Sequence, residues 1–127
     1  MAHMQTKPSD RERIRTLSQF HKLRRIQQTI RAIAAPHKLG PLQAAILFLA
    51  WERDPKPIGQ SELVILLDTR APTLTVSLRL LAQQNLIVIK PRGVDGSMKR
   101  AILTSNGQKL AEQLLDEMTI ALKIKHN

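Results

Sequence analysis

The 127-residue chain carries a formal net charge of +10 and no cysteine, which excludes disulfides, thiol catalysis and cysteine-ligated zinc. Its 43% apolar content suffices for one compact domain with extended helical ends, while three aromatic residues (Phe20, Phe48 and Trp51) are too few for a single-strand or RNA stacking platform. No apolar run approaches the roughly 20 residues needed to cross a bilayer, and the start MAHMQTKPSD has no signal-peptide core, so a cytoplasmic protein without membrane contact is expected.

Residues 1–4 match a cloning remnant and are set aside. Residues 9–34 then read as a long helix, with Ser9 as N-cap and Glu12 completing a capping box. Within it Leu23, Ile26, Ile30 and Ile33 follow at spacings of 3, 4 and 3, those of a helix–helix seam. Arg24, Arg25 and Arg31 lie on the opposite face, and Ala35-Pro36 ends the helix. Pro41 suits the first turn of the next helix, which runs to about Glu52 and is apolar nearly all round, so it is expected to be buried. Asp54-Pro55-Lys56-Pro57 is a stiff connector to a short helix that stops near Asp68.

After the turn Thr69-Arg70-Ala71-Pro72 comes a further helix, whose Leu74, Leu78 and Leu81 share one face and point to a core. Thr73, Val76, Ser77, Leu80 and Gln84 are expected to point largely away from it. Asn85 suits a left-handed C-terminal cap. The β-branched run 87–90, the turn cluster 91–96 and the alternating run 98–104 predict a two-stranded hairpin carrying Arg92, Lys99 and Arg100. From Ser105 a last helix places Ala111, Leu115, Met118 and Leu122 at spacings of 4, 3 and 4, a second seam.

The charge is segregated along these elements. Residues 1–38 hold nine Lys/Arg against two acids, residues 39–89 four of each sign, and residues 90–127 seven against four. A neutral middle between basic ends points to a polyanion, whose phosphates release counterions when neutralised; an acidic membrane surface is the weaker version of the same charge reading. Chemistry is nearly absent. The histidines have no zinc spacing, and there is no phosphate-cradling glycine loop and no nucleophile–base signature. No enzyme activity, metal or cofactor is expected.

The order helix, helix, turn, helix, hairpin, helix is that of a winged helix-turn-helix, and three segments resemble the MarR family of bacterial transcription regulators. They are LGPLQAAIL, then QSELVILLDTRAPTLTVSLRLLAQQNLI, then DGSMKRAILTSNG with Asp95, Leu103, Thr104 and Gly107 at the family's wing spacing. The resemblance spans about residues 39–107. It implies a mainly α fold with a small β-hairpin wing, dimeric through N- and C-terminal helices: a dimerisation helix at 5–38, a DNA-binding domain at 39–104 and a second dimerisation helix at 105–127. Leu23, Ile26, Ile30, Ile33, Leu115, Met118 and Leu122 would then form the dimer interface.

By the same resemblance the recognition helix would offer Arg70, Thr73, Thr75, Val76, Ser77 and Arg79 to double-stranded DNA, with Arg92, Ser97, Lys99 and Arg100 at the wing. The expected function is that of a homodimeric transcription regulator, a repressor on an inverted repeat. A small aromatic effector, another family habit, would meet Phe20, His37, Phe48 and Trp51, although core packing is the preferred reading for Phe48 and Trp51. This chain departs from the pattern in four places. Ser97 replaces a usual arginine, Val76 a usual basic residue, Leu80 a usual polar one, and Asn85 a common glycine. Two alternatives stay open: the high charge and the missing wing arginine allow a non-specific or architectural duplex binder of a mobile element, and the apolar pair Val76 and Leu80 allows a winged-helix protein-interaction module.

Overall fold

The computed structural model describes residues 6–92 and 98–126, with backbone alone for Arg92, Met98 and residues 124–126. Helix α1 (Asp10–Ala34) begins as its capping box dictates. The Ser9 hydroxyl accepts from the Glu12 N–H at 3.2 Å, and the Glu12 carboxylate accepts from the Ser9 N–H at 2.8 Å. A 3-10 turn (Ala35–His37) follows, and Lys38 closes it in the left-handed region at φ 61°. Helix α2 (Pro41–Arg53) starts on Pro41 and buries Ala44, Ile46, Leu47 and Ala50. It is the central rod of the domain, touching α1, α4, α5 and the sheet.

Strand β1 (Ile58–Gly59) leads into α3 (Gln60–Leu66), then a turn, then α4 (Ala71–Gln83). Strands β2 (Ile87–Arg92) and β3 (Met98–Leu103) precede the terminal helix α5 (Ser105–His126). The sheet has three strands in the order β1-β3-β2, all antiparallel, rather than the two of the expected hairpin. The third strand is only two residues long, too short to show alternation in sequence. Ile58 pairs with Ala101 and Gly59 with Arg100, which fastens the wing's inner end to the helix-turn-helix.

One core joins all of these elements. Ile46, Leu47, Ile58, Leu63, Leu74, Leu81 and Leu114 are its largest fully buried side chains. The core face of α4 carries Leu74, Leu78 and Leu81 as expected, but Ser77 joins them at 5% exposure and does not point outward. At 3.6 residues per turn, position 77 lies roughly 40° around the helix from position 81, on one flank of the core face, and a small side chain fits where the helix meets its neighbours. Asn85 ends α4 at φ 61°, in the left-handed region its sequence position predicts.

The terminal helices are partly intramolecular. Ile30 and Ile33 pack against the chain's own core, and Ala111 and Leu114 are completely buried in it. Leu115, Met118 and Leu122 are half-buried, as is Ile26, whereas Leu23 is exposed. Residues 10–24 of α1 are exposed all round, including Ile14, Leu17 and Phe20. No single helix among the described residues is long and apolar enough to cross a membrane.

Candidate nucleic-acid interface

A candidate surface for a polyanion is built from α4 and the wing. Pro72 and the extended backbone of Arg70 set the start of α4, and no side chain caps it. Its first N–H groups therefore lack a side-chain acceptor at the end where the helix dipole is positive. Arg70, Thr73, Val76, Arg79 and Leu80 are exposed around this end and along the outer face.

Thr75 is turned differently. Its hydroxyl donates to the Ala71 carbonyl at 2.9 Å and accepts from the Gln60 side-chain amide at 2.8 Å. This ties α4 to the start of α3, so Thr75 positions the helix while Thr73 faces outward. Gln60 had no signal in the sequence, because its partner lies 15 residues away and only the fold brings them together.

Beside Thr75, a cleft of about 310 Å³ opens between α4 and the sheet. Gln60 and Thr75 lie along it, with Arg79 and Gln83 on the helical wall and Ile89 and Lys99 on the strand wall. Arg79 and Lys99 thus bring two positive charges to one groove whose other lining residues are uncharged.

Strand register sorts the wing cations. Ile89 opposes Ala101 and Pro91 opposes Lys99, so Lys99 shares the sheet face that covers α4. Lys90 opposes Arg100 on the other face. Two like charges placed directly across a ladder repel one another unless an anion lies between them. The Arg100 Nε is buried and has no hydrogen-bond partner among the described residues. Lys90 was not singled out from sequence; its pairing depends on a register that the turn length leaves open. Arg92 lies in β2 and its side chain is outside the described residues, as is all of Ser97.

Behind the interface, Arg53 of α2 grips Glu62 of α3 through both guanidinium nitrogens, one bond measuring 2.8 Å. The hydrogen bonds from Arg53 hold the Glu62 carboxyl below its ordinary range, and Glu62 raises the Arg53 guanidinium in turn. This clamp fixes α3 on the central helix and so sets the platform for α4.

The residues expected around an effector lie on successive elements, α1, the 3-10 turn and α2. Phe20 is exposed on α1, with its ring 5.8 Å from that of His21. His37 is half-buried in the 3-10 turn, and the Trp51 indole N–H donates to Glu112 of α5 at 3.0 Å.

No protein-family model matches the sequence, and no curated protein matches it. Solved structures do match the fold. AbsC, a MarR family transcriptional regulator from Streptomyces coelicolor, superposes with a TM-score of 0.75 at 16% identity, over 96% of this chain and 82% of that one. S. aureus MepR in a DNA-binding conformation gives 0.68 at 22% identity, over 93% and 85%. CouR from Rhodococcus jostii RHA1, bound to p-coumaroyl-CoA, gives 0.70 at 16% identity, over 87% and 74%. With five α-helices and a three-stranded sheet among the described residues, and this agreement along nearly its whole length, the chain has the winged-helix fold of the MarR-type regulators.

Proposed function

We propose that this chain is a homodimeric transcription regulator that binds duplex DNA sequence-specifically, acting as a repressor from an inverted repeat. The observation that carries the reading is the outward face of α4. It is exposed at an uncapped helix N-terminus and flanked by Arg70, Arg79 and Lys99, in the position from which such helices enter a major groove. The Lys90–Arg100 pair supplies wing charge for phosphates alongside. The DNA-binding conformation of S. aureus MepR supports extending the fold to this use.

Dimerisation rests on residues 10–24. Ile14, Leu17, Phe20 and Leu23 are each more than half exposed on a helix that the single chain leaves uncovered, and a two-fold partner would bury them. On this reading residues 5–38 and 105–127 are the dimerisation segments and 39–104 the DNA-binding domain. Leu23 and Ile26 belong to the interface directly, and Ile30 and Ile33 chiefly anchor α1 to the domain. A small aromatic effector at Phe20, His37 and Trp51 belongs to the same reading, supported by CouR, which is bound to p-coumaroyl-CoA.

The test is selection from random duplex DNA by the purified protein near physiological salt. An inverted repeat with half-sites about one turn (~34 Å) apart is expected. Retention without enrichment would replace the reading with an architectural duplex binder. No retention by folded protein would replace it with a protein-interaction module.

A further inference from the structure

We infer that the reading helix recognises thymine by its C5-methyl group, through Val76 and Leu80 with the methyl of Thr73. This rests on the DNA-binding reading above and specifies what that face reads.

Thr73, Val76 and Leu80 follow one another by 3 and 4 residues and so form a single stripe along α4. Val76 is 50% exposed and Leu80 41%, although the core lies just around the helix and the chain has other places for apolar residues. Two neighbouring hydroxyls are turned away from the stripe, which keeps that of Thr73 beside its methyl. Ser77 is buried, and the Thr75 hydroxyl is engaged by Ala71 and Gln60. What the stripe presents to an incoming surface is therefore mainly methyl groups.

Its borders are cationic, with Arg70 at the helix start, Arg79 on the neighbouring face and Lys99 across the cleft. An apolar strip between positive edges complements a major groove, where phosphates line both rims and the thymine methyl is the apolar group on the floor. Two side chains are a small fraction of the ~800 Å² per partner that a stable protein interface requires. They match the size of one or two base methyls. Charge complementarity and scale together favour duplex DNA as the occupant.

The experiment uses the full-length protein and the duplex enriched by selection, synthesised with thymine, with uracil, or with 5-bromouracil, whose bromine is close to a methyl in size. Each contacted methyl contributes roughly a fourfold change in Kd, so one contact in each of two half-sites gives roughly 15-fold weaker binding to the uracil duplex. Bromouracil restores the affinity. In the Val76→Ala/Leu80→Ala protein, the difference between thymine and uracil shrinks to less than about threefold, and circular dichroism melting verifies that this surface variant folds.

Equal affinity for thymine and uracil duplexes of an enriched sequence overturns the inference and leaves the regulator reading standing. A uracil penalty undiminished in the double variant also overturns it, because other residues would then sense the methyl. Failure of any sequence to enrich removes the regulator reading, and this inference with it.

Discussion

Substituting Gly107 by alanine tests how tightly α5 is set against the wing. Gly107 is buried in the first turn of α5, where its N–H donates to the Thr104 hydroxyl at 2.9 Å. The Thr104 hydroxyl donates to the Asn85 carbonyl at 2.7 Å, and the Thr104 N–H donates to the Leu86 carbonyl at 3.1 Å. A Cβ on residue 107 would stand 1.9 Å from the Leu86 carbonyl oxygen and 2.9 Å from its carbon. Reaching even 3.0 Å requires a retreat of about 1.1 Å, and the obstacle is backbone rather than a flexible side chain. Overpacking of this kind costs ~1–3 kcal/mol, and rigid backbone puts it at the upper end. Better helix propensity returns at most ~1 kcal/mol. The net loss is about 2 kcal/mol. With an unfolding entropy of ~2.1 cal/mol/K per residue over 127 residues, Tm should fall by about 7 °C. Thermal melting by circular dichroism, at fixed protein concentration because a dimer makes Tm concentration-dependent, measures this. Asn106→Ala on the exposed neighbour should shift Tm by less than ~2 °C. A Gly107→Ala protein that melts within ~2 °C of the parent would refute the reasoning, since the junction would then yield freely.

Four further substitutions probe the interface and its supports. Leu17→Asp places a charge in the exposed stripe of α1; loss of ~1.5–3 kcal/mol per protomer should weaken dimerisation by about 100-fold or more, visible by sedimentation as monomer at micromolar concentration. Arg100→Ala should weaken binding to all duplexes alike and flatten the salt dependence by about one unit of log–log slope per protomer, whereas Arg79→Ala should relax sequence preference, measurable by anisotropy titrations on selected and random duplexes. The Glu62 carboxyl is held below its ordinary range by Arg53, so the clamp contributes fully around neutral pH and is lost as pH falls through that depressed value. Glu62→Gln should therefore flatten the acid limb of the stability–pH curve, and an unchanged limb would assign acid sensitivity to other carboxylates.

Local sequence signals account for the elements and for most of their facing. The capping box at Ser9 and Glu12, the prolines that open α2 and α4, the leucine spacing of α4 and the turn at Asn85 are local signals. Each arises from hydrogen bonds or sterics within a few residues, so pattern alone carries them. Of the segments quoted for the family resemblance, the first opens α2, the second spans α3 and α4 to the start of β2, and residues 98–107 of the third span β3 and the start of α5, Asp95 and its neighbours lying outside the described residues. Tertiary structure decided the rest. The two-residue strand at Ile58 exists only because β3 offers it an edge. Ser77 is buried because neighbouring elements close over one flank of α4, which a polar residue at that spacing gives no sign of. Thr75 is taken up by Gln60, and Lys90 is set against Arg100, through contacts whose partners are remote in sequence or fixed only by strand register. Ile30 and Ile33 carry the same periodicity as Leu23, yet α2 and α5 cover the end of α1 and leave its start bare. Periodicity reports that a face is apolar. Which surface covers it depends on how the elements are assembled.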